Sequence, residues 1–245
     1  MRLLRSVFTF FYSVWCIVTF SLVLILLLFA YAAVYFQNDK QRTLNAYKAN
    51  RALCSLWFKI CGYKIVIEGW EKVNPSQVYV FTGNHCNMLD LPIAGYFLQH
   101  YYKSLAKKEF AYMPVLGFLF SIAAVFVDRK NAQSRQQSTQ KMIHLLHKGL
   151  SFLIFPEGTR NKSEQPLLPF HKGAFKIAIA AQVPLQPFVL LGTRQLQPSG
   201  TYRFYPGTIR VQLLDAIPTT GLTDADTDAL SEKVRQLMIQ QIQNH

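Results

Sequence analysis

The sequence predicts an α/β fold, a mixed and largely parallel sheet flanked by helices, preceded by an N-terminal membrane helical element. Three observations carry this. Short β-prone apolar runs alternate with helical patterns along most of the chain. Two of those runs, Val78–Thr82 and Ser151–Phe155, each lead into a polar cluster. Residues 6–38 contain no Lys, Arg, Asp, Glu or His.

The uncharged run spans roughly thirty residues, and at about 1.5 Å per residue it exceeds the ~30 Å hydrocarbon core of a bilayer. Arg2 and Arg5 precede it, and Ala30-Tyr31-Ala32 resembles a signal cleavage site. The apolar stretch is too long for a signal-peptide core, so the segment is expected to stay attached. Lys40, Arg42, Lys48 and Arg51 outnumber the basic residues before it, which favours a cytoplasmic face for the rest of the chain. Whether the segment spans the bilayer or lies within one leaflet stays open. From Leu44 to Ile60 apolar residues interleave with Lys48, Arg51 and Lys59, the pattern of an interfacial helix. Residues 1–62 therefore read as an anchor and 63–245 as the sheet domain.

Within that domain Tyr63–Gly69 alternates like a strand. The Val78–Thr82 strand follows, with a helix over Leu91–Leu98 whose early proline suits a first turn. A lysine-rich loop leads to a strand at Ala123–Val127. Gln133–His147 is a surface helix closed by Gly149, and Ser151–Phe155 is a buried strand stopped by Pro156. Ala174–Ala181 reads as a short buried helix, Leu185–Leu191 and Thr208–Leu214 as strands, and Asp224–Gln243 as a terminal helix with an acidic first turn.

Composition narrows the function. The chain of 245 residues is 51% hydrophobic and 16% charged, with a net charge of +13. That charge implies anionic partners. The Lys and Arg residues are scattered, and neither zinc-finger spacing nor a helix-turn-helix signature occurs, so nucleic acid is not expected. Anionic headgroups, a phosphate-bearing acceptor and an acidic acyl donor fit better. Cys16, Cys54, Cys61 and Cys86 form no CxxC pair, which argues against a disulfide framework or zinc site.

Two clusters carry the chemistry. After the first strand comes Asn84-His85-Cys86-Asn87-Met88-Leu89-Asp90, and after the later one Phe155-Pro156-Glu157-Gly158-Thr159-Arg160. Open α/β sheets place ligands beyond the carboxyl ends of their strands. If the two strands are parallel neighbours, a His, an Asp and an Arg converge on one crevice. A lone His-x4-Asp is weak evidence, whereas the hexapeptide arises by accident only on the order of once in a hundred thousand such chains.

On these residues the chain resembles the glycerolipid acyltransferase family, membrane enzymes that acylate lysophosphatidic acid or glycerol 3-phosphate. Asn84, His85 and Asp90 fall on the first family motif, Ala123–Arg129 on the second, Glu157-Gly158-Thr159-Arg160 on the third, and Val183-Pro184-Leu185-Gln186-Pro187 on the fourth. Lys107-Lys108-Glu109-Phe110 matches a further element. The order is the family's, over residues 69–214. Ala123 replaces a usual Gly, Asn87 stands where Ser is common, and Gln186 puts a polar side chain in the fourth motif.

Acyl transfer from a thioester to an alcohol needs a base, because an alcohol is a poor nucleophile at neutral pH. A positioned His supplies ~10²–10⁴ in rate when its other ring nitrogen is held by a carboxylate. His85 is the expected base and Asp90 its orienter, with no covalent acyl-enzyme. Asp90 read alone is equally a helix cap. Arg160 offers a planar fork for phosphate, presented by the turn Glu157-Gly158-Thr159. Lys107 or Lys108 is the second phosphate candidate, against the plainer reading of a solvated basic face.

Arg129, beside Asp128, reads as a structural ion pair before a ligand. The resemblance adds Asn84, Arg129, Lys172 and Pro187 to the candidate substrate-binding residues and sets His171 near the donor. A Cys86–His85 nucleophile lacks a partner arrangement. His144 and His147, three apart on a surface helix, lack a third ligand, so no metal is expected.

The resemblance thus implies a 1-acylglycerol-3-phosphate O-acyltransferase in residues 63–245. It needs no cofactor and takes acyl-CoA or acyl carrier protein as co-substrate, with lysophosphatidic acid or another lysophospholipid as acceptor and membrane lipids as surroundings. A hydrolase would want Gly-x-Ser-x-Gly, which is absent from the sequence. A lipid-binding anchor would not need His85 and Asp90 together.

Overall fold

The computed structural model describes residues 2–245, with side chains from Leu4 onward. The Arg2 side chain of the basic start therefore lies outside the described residues. Two helices open the chain, α1 (Arg2–Val34) and α2 (Asp39–Ile60). The sheet domain runs β1 (Lys64–Glu68), β2 (Val80–Gly83), α3 (Asp90–Phe97), β3 (Tyr102–Lys107), α4 (Pro114–Ala123), β4 (Ala124–Val127), α5 (Ala132–His147) and β5 (Ser151–Ile154). It continues with α6 (Gly173–Ala181), β6 (Leu185–Leu191), α7 (Thr193–Leu196), β7 (Thr208–Leu213) and α8 (Thr227–Gln243).

The seven strands form one sheet in the order β1-β7-β6-β2-β5-β3-β4. Among the seven described strands, β6–β7 is the one antiparallel pair. The Lys-rich stretch expected as a loop contains β3, and Pro114–Ala123 is a further helix. β3 carries Lys103 at an inward position, where burial lowers the ammonium's pKa and the Asp39 carboxylate 3.5 Å away opposes that shift. A charge at a buried strand position hides a strand from an apolar pattern.

One face of the sheet packs against α1, α2 and α3 through Tyr79, Phe81, Phe188 and Val211. The other packs against α5, α6 and α8 through Val80, Phe152, Leu185 and Val189. Residues alternate between these faces along each strand, as a pleat requires. Gln186, fully buried on β6, donates from Nε2 to the Leu214 carbonyl at 2.6 Å. The polar departure from the fourth motif therefore ties β6 to the end of β7.

Helix α1 is not a free-standing rod. Cys16, Val23, Leu27 and Tyr31 are buried on one stripe, in the same core as Trp57 and Phe58 of α2. Trp57 Nε1 donates to Thr19 Oγ1 at 3.1 Å, and Ser13 Oγ accepts the Phe204 N–H at 2.9 Å. The opposite stripe, including Phe8, Phe11, Trp15, Leu22 and Phe29, is exposed. The stretch Leu4–Val34 is long and apolar enough to cross a membrane.

Candidate active site

Strands β2 and β5 are parallel neighbours, in register at Val80↔Phe152, Phe81↔Leu153 and Thr82↔Ile154. Continuing that register sets His85 beside Glu157. The two polar clusters meet at one sheet edge, as their positions in the sequence anticipated. β3 and β4 run parallel to β5 and end at the same edge, which brings Lys107, Lys108 and Arg129 to the rim.

His85 Nδ1 lies 2.8 Å from Asp90 Oδ2, with the Asp90 side chain wholly buried and the imidazole one-fifth exposed. The same carboxylate oxygen accepts the backbone N–H groups of Cys86 at 2.6 Å and Asn87 at 3.0 Å. Asp90 opens α3, yet its carboxylate turns back to hold the loop and the ring together. With Nδ1 donating to the carboxylate, Nε2 is left as an acceptor. The ring stacks on Phe155 at 4.6 Å between centroids, which fixes its plane.

Glu157 is 2% exposed and turned away from the crevice. Its Oε1 accepts the His85 backbone N–H at 2.7 Å, and its Oε2 that of Leu168 at 2.8 Å. Burial raises its pKa, and these two donors oppose the rise. Asn84 is buried too, and its amide exchanges two hydrogen bonds with Leu190, at 3.0 and 2.7 Å. Both residues therefore build the loop that carries His85.

Gly158 has φ of +67°, a conformation that suits glycine. A Cβ there would meet the His171 ring and the Arg129 guanidinium. Arg129 Nη1 donates to the Gly158 carbonyl. The expected Arg129–Asp128 ion pair does not form, because adjacent residues at a strand end point apart. Asp128 instead lies 3.8 Å from Lys108 Nζ and accepts the Lys130 N–H at 3.0 Å. Thr159, Arg160 and Lys107 are exposed at the edge, and neither Arg160 nor Lys107 makes an ion pair among the described residues. They are two cations open to an anionic ligand.

Two candidates lie apart from this group. Lys172 pairs with Asp228 of α8 at 2.6 Å, and Pro187 is buried inside β6 beside Thr82. Neither offers a polar group to the crevice. Cys86 is buried, its thiol pushed up chiefly by burial, and it accepts from Arg194 Nε at 3.4 Å. That is the setting of an inert thiol rather than a nucleophile.

Asn161 and Gln197 gave no signal in the sequence, and Asn87 stood out there only as a departure from the common Ser. The Asn161 N–H donates to the His85 carbonyl at 2.7 Å. Asn87 Nδ2 donates to the Thr193 and Gln197 carbonyls, at 2.7 and 3.0 Å. The Gln197 side chain accepts the Met88 N–H at 2.9 Å. Asn87, the departure from the common Ser, thus pins the His85 loop to the segment after β6.

The acyltransferase family model matches residues 64–191, more than half the chain, a stretch that includes His85, Asp90 and residues 157–160. The chain belongs to the acyltransferase family. A 1-acyl-sn-glycerol-3-phosphate acyltransferase alpha of Homo sapiens is 34% identical over 180 residues, covering 73% of this chain and 63% of that protein. The chain therefore matches less than two thirds of that relative's length. A 1-acyl-sn-glycerol-3-phosphate acyltransferase of Cocos nucifera is 31% identical over 220 residues, 89% of this chain and 68% of the relative. The crystal structure of the 1-acyl-sn-glycerophosphate (LPA) acyltransferase PlsC of Thermotoga maritima superposes with a TM-score of 0.80. It covers 100% of this chain and 97% of its own at 21% identity, which shows a shared acyltransferase fold including the N-terminal helices. An apolar N-terminal helix in a member of this family fits a membrane-associated protein.

Proposed function

We propose that the protein is a membrane-bound 1-acylglycerol-3-phosphate O-acyltransferase that moves a fatty acyl chain from an acyl thioester to the sn-2 hydroxyl of lysophosphatidic acid. The observation that carries this reading is the His85–Asp90 pair, set beside open cations at the carboxyl edge of a parallel sheet. It is supported by the relatives' names.

In this reading His85 Nε2 takes the acceptor's hydroxyl proton as the oxygen attacks the thioester carbonyl. Asp90 holds the ring's tautomer and stabilises the imidazolium that forms. The tetrahedral adduct then expels the thiolate, which recovers the proton from Nε2. Arg160 and Lys107 draw the acceptor's phosphate, Arg160 as a bidentate fork and Lys107 as a point charge. Lys108 and Arg129 complete the basic rim, while Glu157, Gly158 and Thr159 shape the turn that presents Arg160. Coenzyme A or acyl carrier protein carries the acyl chain, and no cofactor takes part.

The exposed stripe of α1 seats the enzyme on the cytoplasmic face of a membrane. Because the other stripe is packed into the core, α1 enters that surface without crossing it. The test is acyl transfer by the reconstituted protein, wild type beside His85→Ala, with labelled lysophosphatidic acid and each donor supplied separately. Phosphatidic acid from wild type alone supports the reading. Acylation only of another lysophospholipid would keep the base and reject the acceptor.

A further inference from the structure

A groove of about 1000 Å³ lies between the first half of α1 and the segment linking β6 to β7. Its helical wall runs from Arg5 to Ile17 along one face of the helix, with Thr9, Phe10, Ser13 and Val14 between them. Along that wall lie one guanidinium, the hydroxyls of Ser6, Thr9 and Ser13, and the hydrocarbon of Phe10, Val14 and Ile17. The facing wall supplies a second guanidinium, Arg203, beside Leu196 and Tyr202. Neither arginine has an acidic partner among the described residues. The volume matches the upper range of small-ligand sites.

None of His85, Asp90 or residues 157–160 lines this groove. The groove's lining is thus separate from the residues assigned to the reaction. Two unpaired guanidiniums ask for an anion, and the apolar lining beyond them asks for an acyl chain. We infer that the groove binds a non-reacting anionic phospholipid, its phosphodiester at Arg5 and Arg203 and a chain along Phe10, Val14 and Ile17.

The site has a route to the chemistry. The facing segment also carries Gln197, which accepts the Met88 N–H, and Ser199, whose Oγ donates to the Cys86 carbonyl at 2.9 Å. A lipid wedged against this segment braces the loop that holds His85. The inference rests on the membrane seating proposed above, and its test separates the two.

Full-length protein in neutral detergent is given phosphatidylglycerol or phosphatidylcholine, and retained lipid is read by native mass spectrometry. Wild type is expected to hold one phosphatidylglycerol, and the Arg5→Gln/Arg203→Gln variant to hold it about tenfold more weakly. Phosphatidylcholine should bind wild type no better than the variant binds phosphatidylglycerol. A Lys148→Gln/Lys233→Gln protein, with the same loss of charge elsewhere, should match wild type.

Equal retention by wild type and the arginine variant, or no retention by wild type, overturns the inference. Thermal unfolding of each variant in the same detergent checks that the fold is intact. Flotation of wild type on pure phosphatidylcholine vesicles reads membrane seating alone, so a failure there is distinct from a failure of the groove.

Discussion

Glu157 Oε1 accepts the backbone N–H of His85 at 2.7 Å, joining the third family motif to the first by a bond between neighbouring strands' loops. A buried carboxylate thereby sets where the histidine's main chain lies, while Asp90 sets where its ring points. Hydrogen bonds to charged groups are worth about 1.5–3 kcal/mol each. Glu157→Ala removes two of them and leaves two backbone donors buried. It should destabilise the protein by about 3 kcal/mol or more and abolish most activity. Glu157→Gln, which keeps one acceptor, should lose less in both denaturant melts and initial rates.

Asp90→Asn keeps the shape of the His85 support and changes its chemistry. An amide can donate to Nδ1 and so leave the proton on Nε2, the wrong tautomer for a base. The rate should fall by about 10³–10⁴ at neutral pH, with KM for the acceptor changed little. A rate within tenfold of wild type would remove Asp90 from the mechanism.

Arg160 should act on binding before chemistry. Arg160→Ala is expected to raise KM for lysophosphatidic acid by about 10–100-fold, with a smaller change in kcat. Arg160→Lys keeps the charge without the fork and should fall between. An acceptor without phosphate should be used equally well by all three proteins.

Cys86 is a structural thiol in this arrangement. Cys86→Ala should retain acyl transfer within a few-fold of wild type. Alkylation of native protein at pH 7 should be slow at this residue, because burial pushes the thiol pKa up. Complete loss of activity in Cys86→Ala with an unchanged melt would contradict that role.

His100 predicts an acid limb in stability. It is buried against Trp70, Tyr79 and Phe81, with Nε2 3.1 Å from the Asn74 carbonyl and Nδ1 unpartnered. Burial lowers its pKa below the ordinary histidine value of about 6.5. In the window between the folded value and 6.5 the unfolded chain binds more protons, so stability rises with pH there. Its contribution is complete above 6.5 and is lost as pH falls toward the folded value. His100→Gln should flatten that part of the melting-temperature profile.

Much of this was legible before any tertiary structure. The Val78 and Ser151 runs lie almost where β2 and β5 form, because a central strand buried on both faces must be continuously apolar. The motifs after them could be read because a backbone that leaves a sheet edge needs particular residues, a positive-φ glycine at Gly158 among them. β3 has no clear apolar pattern, because its Lys103 is buried beside an aspartate that lies 64 residues earlier in the chain. Adjacency in the sequence suggests an Arg129–Asp128 pair, whereas the guanidinium reaches across to the Gly158 carbonyl.

The α/β class, the apolar first helix and the family's residue types at the ends of β2 and β5 are written in the chain itself. Local propensity, hydrophobic period and short motifs all act within a few residues, so a linear reading captures them. Folding in three dimensions brings Glu157 to the His85 main chain, pins its loop through Asn87 and Gln197, and turns Lys172 toward α8. It also packs α1 into the domain's core. These are contacts between groups far apart in the chain, set by strand order and packing, and no local pattern records them.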